Sequence, residues 1–266
     1  MHGGGEGKDA APPAGDLVVS YWAIRGLGAP LRMMAFFSEH PNVRILCHDA
    51  GDPSDAATYK AAWFDDAKPD LLKRNAMINL PYIIDTLPCD ADGGEGGCKE
   101  ATTLVVTQTN ACIAYLGEKF GLQGATVVER ARVQQVLCQT MDLRNAAVSQ
   151  FYSGGDQGKF DGSVDAYVAK LHVHLTKIET FMEQNGTSFS ASDRILSSDF
   201  HLWEMLDQNE LFAQRVCEGC DSFLTADRYP RLRRLHQAVR AAPQLQRYFD
   251  SEHATLPMNN PHGVFR

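Results

Sequence analysis

The chain has 266 residues, 44% of them apolar and 22% charged, with a net charge of −8 and a pI near 5.6. This is a globular composition, and its acidic balance excludes nucleic acid as the main partner, because phosphate binding needs clustered cations. No apolar run approaches the roughly 20 residues of a membrane helix, so no membrane partner is expected.

Residues 1–16 mix Gly, Ala and Pro with both charge signs, and read as a disordered extension. They lack the apolar stretch of a secretory leader and the arginines of a transit peptide. A strand follows at 17–21, then a helix at 30–40 that Pro30 starts. Further strands are expected at 43–48, 82–85 and 104–107. A helix at 109–120 repeats Ile113, Leu116 and Phe120 on one side, and Gly121 stops it. Between the last two strands, residues 86–103 carry four glycines in five positions. This composition cannot pack a core and predicts an extended loop. Strands alternating with helices define an α/β unit over 17–122.

After a linker at 121–126 the pattern turns helical over 127–255, with helices at 127–152 and 199–212. Val164, Tyr167, Val168, Leu171, Leu175, Ile178, Phe181 and Met182 trace one apolar face between them. Residues 256–266 form a tail. Arg231, Arg233 and Arg234 read as a solvated helix face. The seven cysteines, Cys47, Cys89, Cys98, Cys112, Cys138, Cys217 and Cys220, are odd in number and scattered. That pattern opposes a disulfide framework and points to a reducing, cytoplasmic setting. Cys217 and Cys220 have redox spacing but sit in the helical half and read as structural thiols. His172 and His174 are two apart on a helix and face different ways, so no metal site is expected.

Four local features carry chemistry. Tyr21 ends the first strand opposite a helix N-terminus, a place to hold a thiolate by a phenol hydrogen bond and positive helix potential. Taken alone it also reads as a half-buried strand aromatic. Asn79-Leu80-Pro81-Tyr82 sets a proline before a strand. If its peptide bond is cis, Leu80 offers its N–H and C=O to an extended ligand, although a trans proline at a strand start is commoner. Gln108 and Thr109 lie between a strand and a helix. Thr109 is a candidate N-cap, and the free amides suit a carboxylate. Asp142 sits inside a helix, where a solvated role is the ordinary one.

The segments Tyr-Trp-x-Ile-Arg-Gly-Leu from Tyr21, Asn-Leu-Pro-Tyr-x-Ile-Asp from Asn79, Thr-Gln-Thr-Asn-Ala-x-Ile-x-Tyr from Thr107 and Gln-Thr-Met-Asp from Gln139 occur in the order seen in cytosolic glutathione transferases. The chain resembles the mu class most, then the sigma class, from about Val18 to Phe249. The resemblance implies a thioredoxin-like α/β N-terminal domain followed by an all-α C-terminal domain. It also implies a homodimer that uses glutathione as co-substrate, needs no other cofactor, and acts on hydrophobic electrophiles.

Residue by residue, the resemblance implies that Tyr21 is the catalytic tyrosine at the glutathione sulfur. Trp22, Leu27, Lys60, Trp63 and Lys68 fall at glutathione-contacting positions. Lys60 replaces the arginine of mu enzymes, which turns a bidentate clamp into a point charge. The family's lysine falls at Ala67, with Lys68 beside it. Asn79, Leu80 and Pro81 match the segment that pairs with the cysteinyl part, and Gln108 and Thr109 match the γ-glutamyl clamp. Asp142 matches an acid that reaches a partner subunit's ligand. Ile24, Leu27 and Tyr152 would line the electrophile pocket. Met77 takes the place of the aromatic key of mu-type dimers. Leu196 stands where a Ser or Thr usually caps a helix, a loss of roughly 1 kcal/mol.

The implied mechanism has a checkable size. Lowering a thiol pKa by about two units requires roughly 2.7 kcal/mol of preference for the thiolate. One charge-assisted hydrogen bond, about 1.5–3 kcal/mol, supplies it. The rival readings are a non-catalytic glutathione- or ligand-binding protein of the same fold, and a glutathione-dependent isomerase or peroxidase. A cysteine-based thiol–disulfide enzyme is disfavoured, because no cysteine precedes Cys47 and Tyr21 holds the expected position.

Overall fold

The computed structural model describes residues 15–87, 102–216 and 222–266. Most of the extension at 1–16, most of the 86–103 loop, and Cys89, Cys98, Cys217 and Cys220 lie outside the described residues.

Four strands form one mixed sheet in the order β2-β1-β3-β4. Strand β1 (Leu17–Trp22) is buried along its whole length, as a central strand with both faces covered must be. It runs parallel to β2 (Val43–His48) and antiparallel to β3 (Tyr82–Leu87), and β3 pairs antiparallel with β4 (Thr102–Thr107). Helix α1 (Ala29–Ser38) has Pro30 in its first turn, where its missing N–H has no intrahelical acceptor to lose. A π-helical turn (Ala62–Ala67) leads into α2 (Lys68–Leu72), and α3 (Thr109–Lys119) follows β4. The buried carboxylate of Asp85 fixes α3 to the sheet. It accepts from the Tyr115 hydroxyl at 2.5 Å and pairs with Lys119 at 2.7 Å.

The helical half consists of α4 (Val127–Tyr152), α5 (Gln157–Asn185), α6 (Ser197–Val216), α7 (Pro230–Ala241) and α8 (Gln246–Phe249). Thr126 and Glu129 make a complete capping box at the start of α4, which satisfies two otherwise orphaned amides. On α5 the buried residues are Tyr167, Leu171, Leu175, Ile178 and Met182, joined by Phe160 and His174. One continuous core links Leu17, Val19, Leu31 and Met34 to Val133, Leu143, Phe200 and Leu206.

Three expectations change. The 121–126 segment is packed rather than a free linker. Leu122 and Gln123 are buried, and Ser197 donates its N–H to the Leu122 carbonyl and its hydroxyl to Gln123. Leu196 does not leave α6 uncapped. Asp199, three residues on, reaches back and accepts the Leu196 N–H at 2.8 Å and the Ser190 N–H at 2.9 Å, and burial pushes its carboxyl up to about 6. Thr109 is not the cap of α3 but its first residue, and Gln108 occupies the cap position. His172 and His174 do take separate partners, Tyr229 and Gln139.

Candidate active site

The site is organised by how the chain leaves β1. Tyr21 is only 6% exposed, and the turn after it folds back on its ring. A Cβ on Gly28 would stand 2.7 Å from the Tyr21 Cβ, and one on Gly26, at φ +37°, 2.9 Å from the Tyr21 ring. Only glycine permits that approach. Two arginines then fix the turn. Arg32, fully buried, donates to the carbonyls of Ile24 and Trp22, each at 2.7 Å. Arg25 grips both Glu204 oxygens at 3.0 and 2.9 Å and Asp207 at 2.6 Å, so α6 holds the turn from the helical half.

This arrangement brings the Leu27 backbone amide to the Tyr21 phenol. The amide and the nearby Arg144 charge favour the phenolate, but burial outweighs them and raises the pKa, so the phenol keeps its proton at neutral pH. Among the described residues no protein acceptor takes that proton. Ile24 and Leu27 pack beside Tyr21. Tyr152 closes α4, and its oxygen accepts the Asn260 N–H at 2.9 Å.

The remaining expected residues divide into groups. Trp22 packs its ring edge on His48. Trp63 is fully buried and stacked on Tyr82 at 5.7 Å, so it forms part of the wall beneath the site rather than an open contact. The Lys60 ammonium lies 4.7 Å from the Tyr59 ring and that of Lys68 5.1 Å from Phe64. The Leu80–Pro81 peptide bond is cis. The Leu80 N–H is engaged by the Asn79 side-chain oxygen at 2.9 Å, while Asn79 itself is tied to Thr107. Gln108 has φ +73° and Lys60 φ +64°, both left-handed. Non-glycine residues adopt that region at a cost of about 1–3 kcal/mol, and such outliers cluster at ligand sites. Asp142 is exposed and lines a separate groove between α4 and α5 of about 530 Å³, with Gln139, Cys138, Lys177 and Phe181.

Three contributors carried no signal in the sequence. Arg32 reads as an ordinary helix cation. Arg144 reads as an ordinary helix cation too, and it is half-buried on α4. The tail crosses the site: Pro257 and Met258 accept the amides of Arg25 and Gly26, Val264 and Phe265 donate to the Phe151 carbonyl, and the His262 ring meets Tyr59 edge-on at 5.0 Å. Cysteine chemistry finds no support at Cys112, which is buried with its thiol pushed up to about 12. Among the described residues no group of three or more His, Cys, Asp or Glu is placed to hold a metal, and no helix is long and apolar enough to cross a membrane.

A thioredoxin-like mixed sheet followed by an all-helical half is the glutathione S-transferase fold. It is shared with the solved glutathione S-transferase Blo t 8, at TM-score 0.66 and 18% identity over 92% of this chain and 98% of that one. The Ascaris lumbricoides glutathione S-transferase gives TM-score 0.60 and 19% identity over the same shares. Residues 141–252 match the family model for the glutathione S-transferase C-terminal domain. Glutathione S-transferase Mu 6 of Mus musculus is 31% identical over 74% of this chain and 77% of its own length. The class-mu 26 kDa isozyme 1 of Fasciola hepatica is 28% identical over 93% of both. The chain belongs to the glutathione S-transferase family.

Proposed function

We propose that the chain conjugates glutathione to electrophiles through a thiolate held by Tyr21. The observation that carries this reading is the Tyr21 hydroxyl, buried and neutral, with its oxygen facing an amide and its proton unspent. A neutral donor in a dry site favours the thiolate over the thiol. Proximity of a bound electrophile supplies much of the remaining rate.

The rest of the peptide has complementary groups around it. The N-terminus of α3, with Gln108 in its left-handed conformation and Thr109 beside it, suits the γ-glutamyl carboxylate. The ammonium of Lys60 suits the glycyl carboxylate, with Lys68 nearby and Trp22 and Trp63 as walls. The Asn79 side-chain amide and the Leu80 carbonyl before Pro81 suit the cysteinyl unit, while the Leu80 N–H, expected from the sequence to face the ligand, is held by Asn79. Ile24, Leu27 and Tyr152 offer apolar surface for the electrophile. A second copy seated on the α4–α5 groove would bring Asp142 to its neighbour's ligand. The exposed apolar side chains of Met77 and Val173, 69% and 54% accessible, support such an interface.

The test is a titration of thiolate absorbance for glutathione bound to wild type and to Tyr21→Phe. The midpoint is expected about two pH units below that of the free thiol in wild type, and close to the free value in the variant. Equal midpoints in both would remove Tyr21 as the donor. Tight binding of glutathione with no thiolate at neutral pH would favour a binding protein of this fold.

A further inference from the structure

The turn that carries Lys60, to which the glycyl carboxylate is assigned above, is strained. Lys60 sits at φ +64°, a conformation that persists only where its surroundings over-determine it. Its N–H donates to the Ala50 carbonyl at 2.7 Å, and its carbonyl accepts the N–H groups of Trp63 at 3.1 Å and Phe64 at 3.0 Å. The turn is therefore fixed on one side by the chain leaving β2 and on the other by Trp63. Trp63 is fully buried, stacks on Tyr82 and meets the His48 ring edge-on at 5.5 Å.

These contacts converge on His48. It closes β2 opposite Trp22 in register, and Tyr82 opens β3 opposite Ser20. All four side chains thus share one face of the sheet. The His48 ring is 7% exposed and lies 5.5–6.5 Å from the rings of Trp22, Trp63 and Tyr82. Its Nε2 is 3.0 Å from the Ser20 hydroxyl and 3.4 Å from that of Tyr82. Its main-chain carbonyl accepts the Ala23 N–H at 2.7 Å. Burial lowers the His48 pKa, so the ring is neutral and has a bare nitrogen to take a hydroxyl proton. An imidazole anchored in this way is a fixed wedge against Trp63. Tyr21 lies between Ser20 and Trp22 and projects from the opposite face, where the Gly26–Gly28 turn meets its ring. His48 therefore bears on the Lys60 side of the site and not on the phenol.

We propose that His48 is a positioning residue that, through Trp63, aims the Lys60 ammonium at the glycyl carboxylate and so sets the preference for glutathione with a free glycyl carboxylate over glutathione with an uncharged glycyl end. The inference rests on the assignment of Lys60 to that carboxylate and not on the thiolate. Among the described residues Lys60 pairs with no carboxylate, so its charge is available to a ligand. A lysine is a point charge on a flexible stem, and the backbone at its base is what aims it. Without the wedge, Trp63 relaxes into the space that His48 leaves, and the Lys60 backbone departs from its left-handed conformation.

The experiment measures, by calorimetry, the affinity for glutathione and for its glycyl ethyl ester in wild type, His48→Ala, His48→Phe and Lys60→Met. A charge-assisted hydrogen bond is worth about tenfold or more in affinity, so wild type is expected to prefer the free acid by at least that factor, and Lys60→Met to lose most of the preference. The preference is expected to fall at least about threefold in His48→Ala and to recover partly in His48→Phe, which restores a ring against Trp63. The rate of conjugation at saturating glutathione should stay close to that of wild type in both His48 variants, as for the loss of binding that is uniform between ground and transition state. If His48→Ala fails to fold, His48→Phe against wild type carries the test. A lowered thermal midpoint with the preference intact would make His48 merely structural and overturn the proposal. If Lys60→Met lowers the preference and the His48 variants do not, only this proposal fails. If wild type shows no preference, binds neither compound, or keeps its preference in Lys60→Met, the placing of the glycyl carboxylate at Lys60 fails with it.

Discussion

Arg25→Met tests how the helical half holds the turn beside Tyr21. In the native fold Arg25 donates to both oxygens of Glu204 and to Asp207 at 2.6–3.0 Å, and the Glu204 side chain is fully buried. Methionine keeps much of the volume but leaves the Glu204 charge, among the described residues, with a single side-chain donor, Gln208 Nε2 at 2.7 Å. Breaking a buried pair from one side costs about 3–5 kcal/mol, because the remaining charge is desolvated without compensation. That is a large share of a typical 5–15 kcal/mol of total stability. Burial already raises the Glu204 pKa, and Arg25 opposes the rise. Without Arg25 the folded pKa climbs further, so protonation favours the folded variant and part of the loss returns as pH falls toward 5. Urea unfolding at fixed protein concentration, at pH 7 and pH 5, measures both effects. A further Glu204→Met substitution should restore most of the stability, since an apolar replacement of a buried pair is often neutral. A loss under about 1 kcal/mol at pH 7, or one that does not shrink at pH 5, would refute the reasoning.

Gly28→Ala forces a methyl group to within 2.7 Å of the Tyr21 Cβ and 2.9 Å of the Arg32 guanidinium. It should cost about 1–3 kcal/mol and lower the conjugation rate, and a variant with native Tm and rate would contradict this packing. His201 is buried with its pKa held near 3, against an ordinary 6.5. Its contribution to stability is therefore intact above about pH 6.5 and is lost, at about 1.4 kcal/mol per unit, as pH falls toward 3. Between pH 7 and pH 5, wild type should lose about 2 kcal/mol more than His201→Leu in urea unfolding, and parallel losses would count against it. Asp142→Ala should weaken glutathione binding by calorimetry without changing the thermal midpoint, and unchanged affinity would end the proposed role of Asp142 across the interface.

Much of the fold was legible because its signals are local. Strand β2 falls at 43–48 and α4 at 127–152, as expected from β-branched runs and helical periodicity. The turn at 62–72 was missed. It mixes apolar and acidic residues with no helical period and contains Pro69, and it is shaped by burial of Trp63 against Tyr82 and His48. Gln108 and Thr109 were located but their places on α3 were shifted by one, because a glutamine at positive φ has no sequence signature. Asp199 supplied the capping group that Leu196 lacks, by reaching backward along the chain. Arg144 was invisible as a site element, and the 256–266 tail, where the resembled family roofs the substrate pocket, matched that family too poorly to be placed. Which face of α4 meets the β1 turn, and where a tail crosses, depend on long-range packing that no local pattern encodes.

The central claim is that the Tyr21 phenol activates the glutathione sulfur. The most direct measurement is the rate of glutathione conjugation to chlorodinitrobenzene for wild type and Tyr21→Phe side by side, with folding checked by thermal unfolding. The account predicts a clear wild-type rate that falls at least about tenfold in a variant with native stability, as expected when about 1.4 kcal/mol or more of charge-assisted hydrogen bonding is removed. A wild-type rate that the substitution leaves unmoved would contradict it.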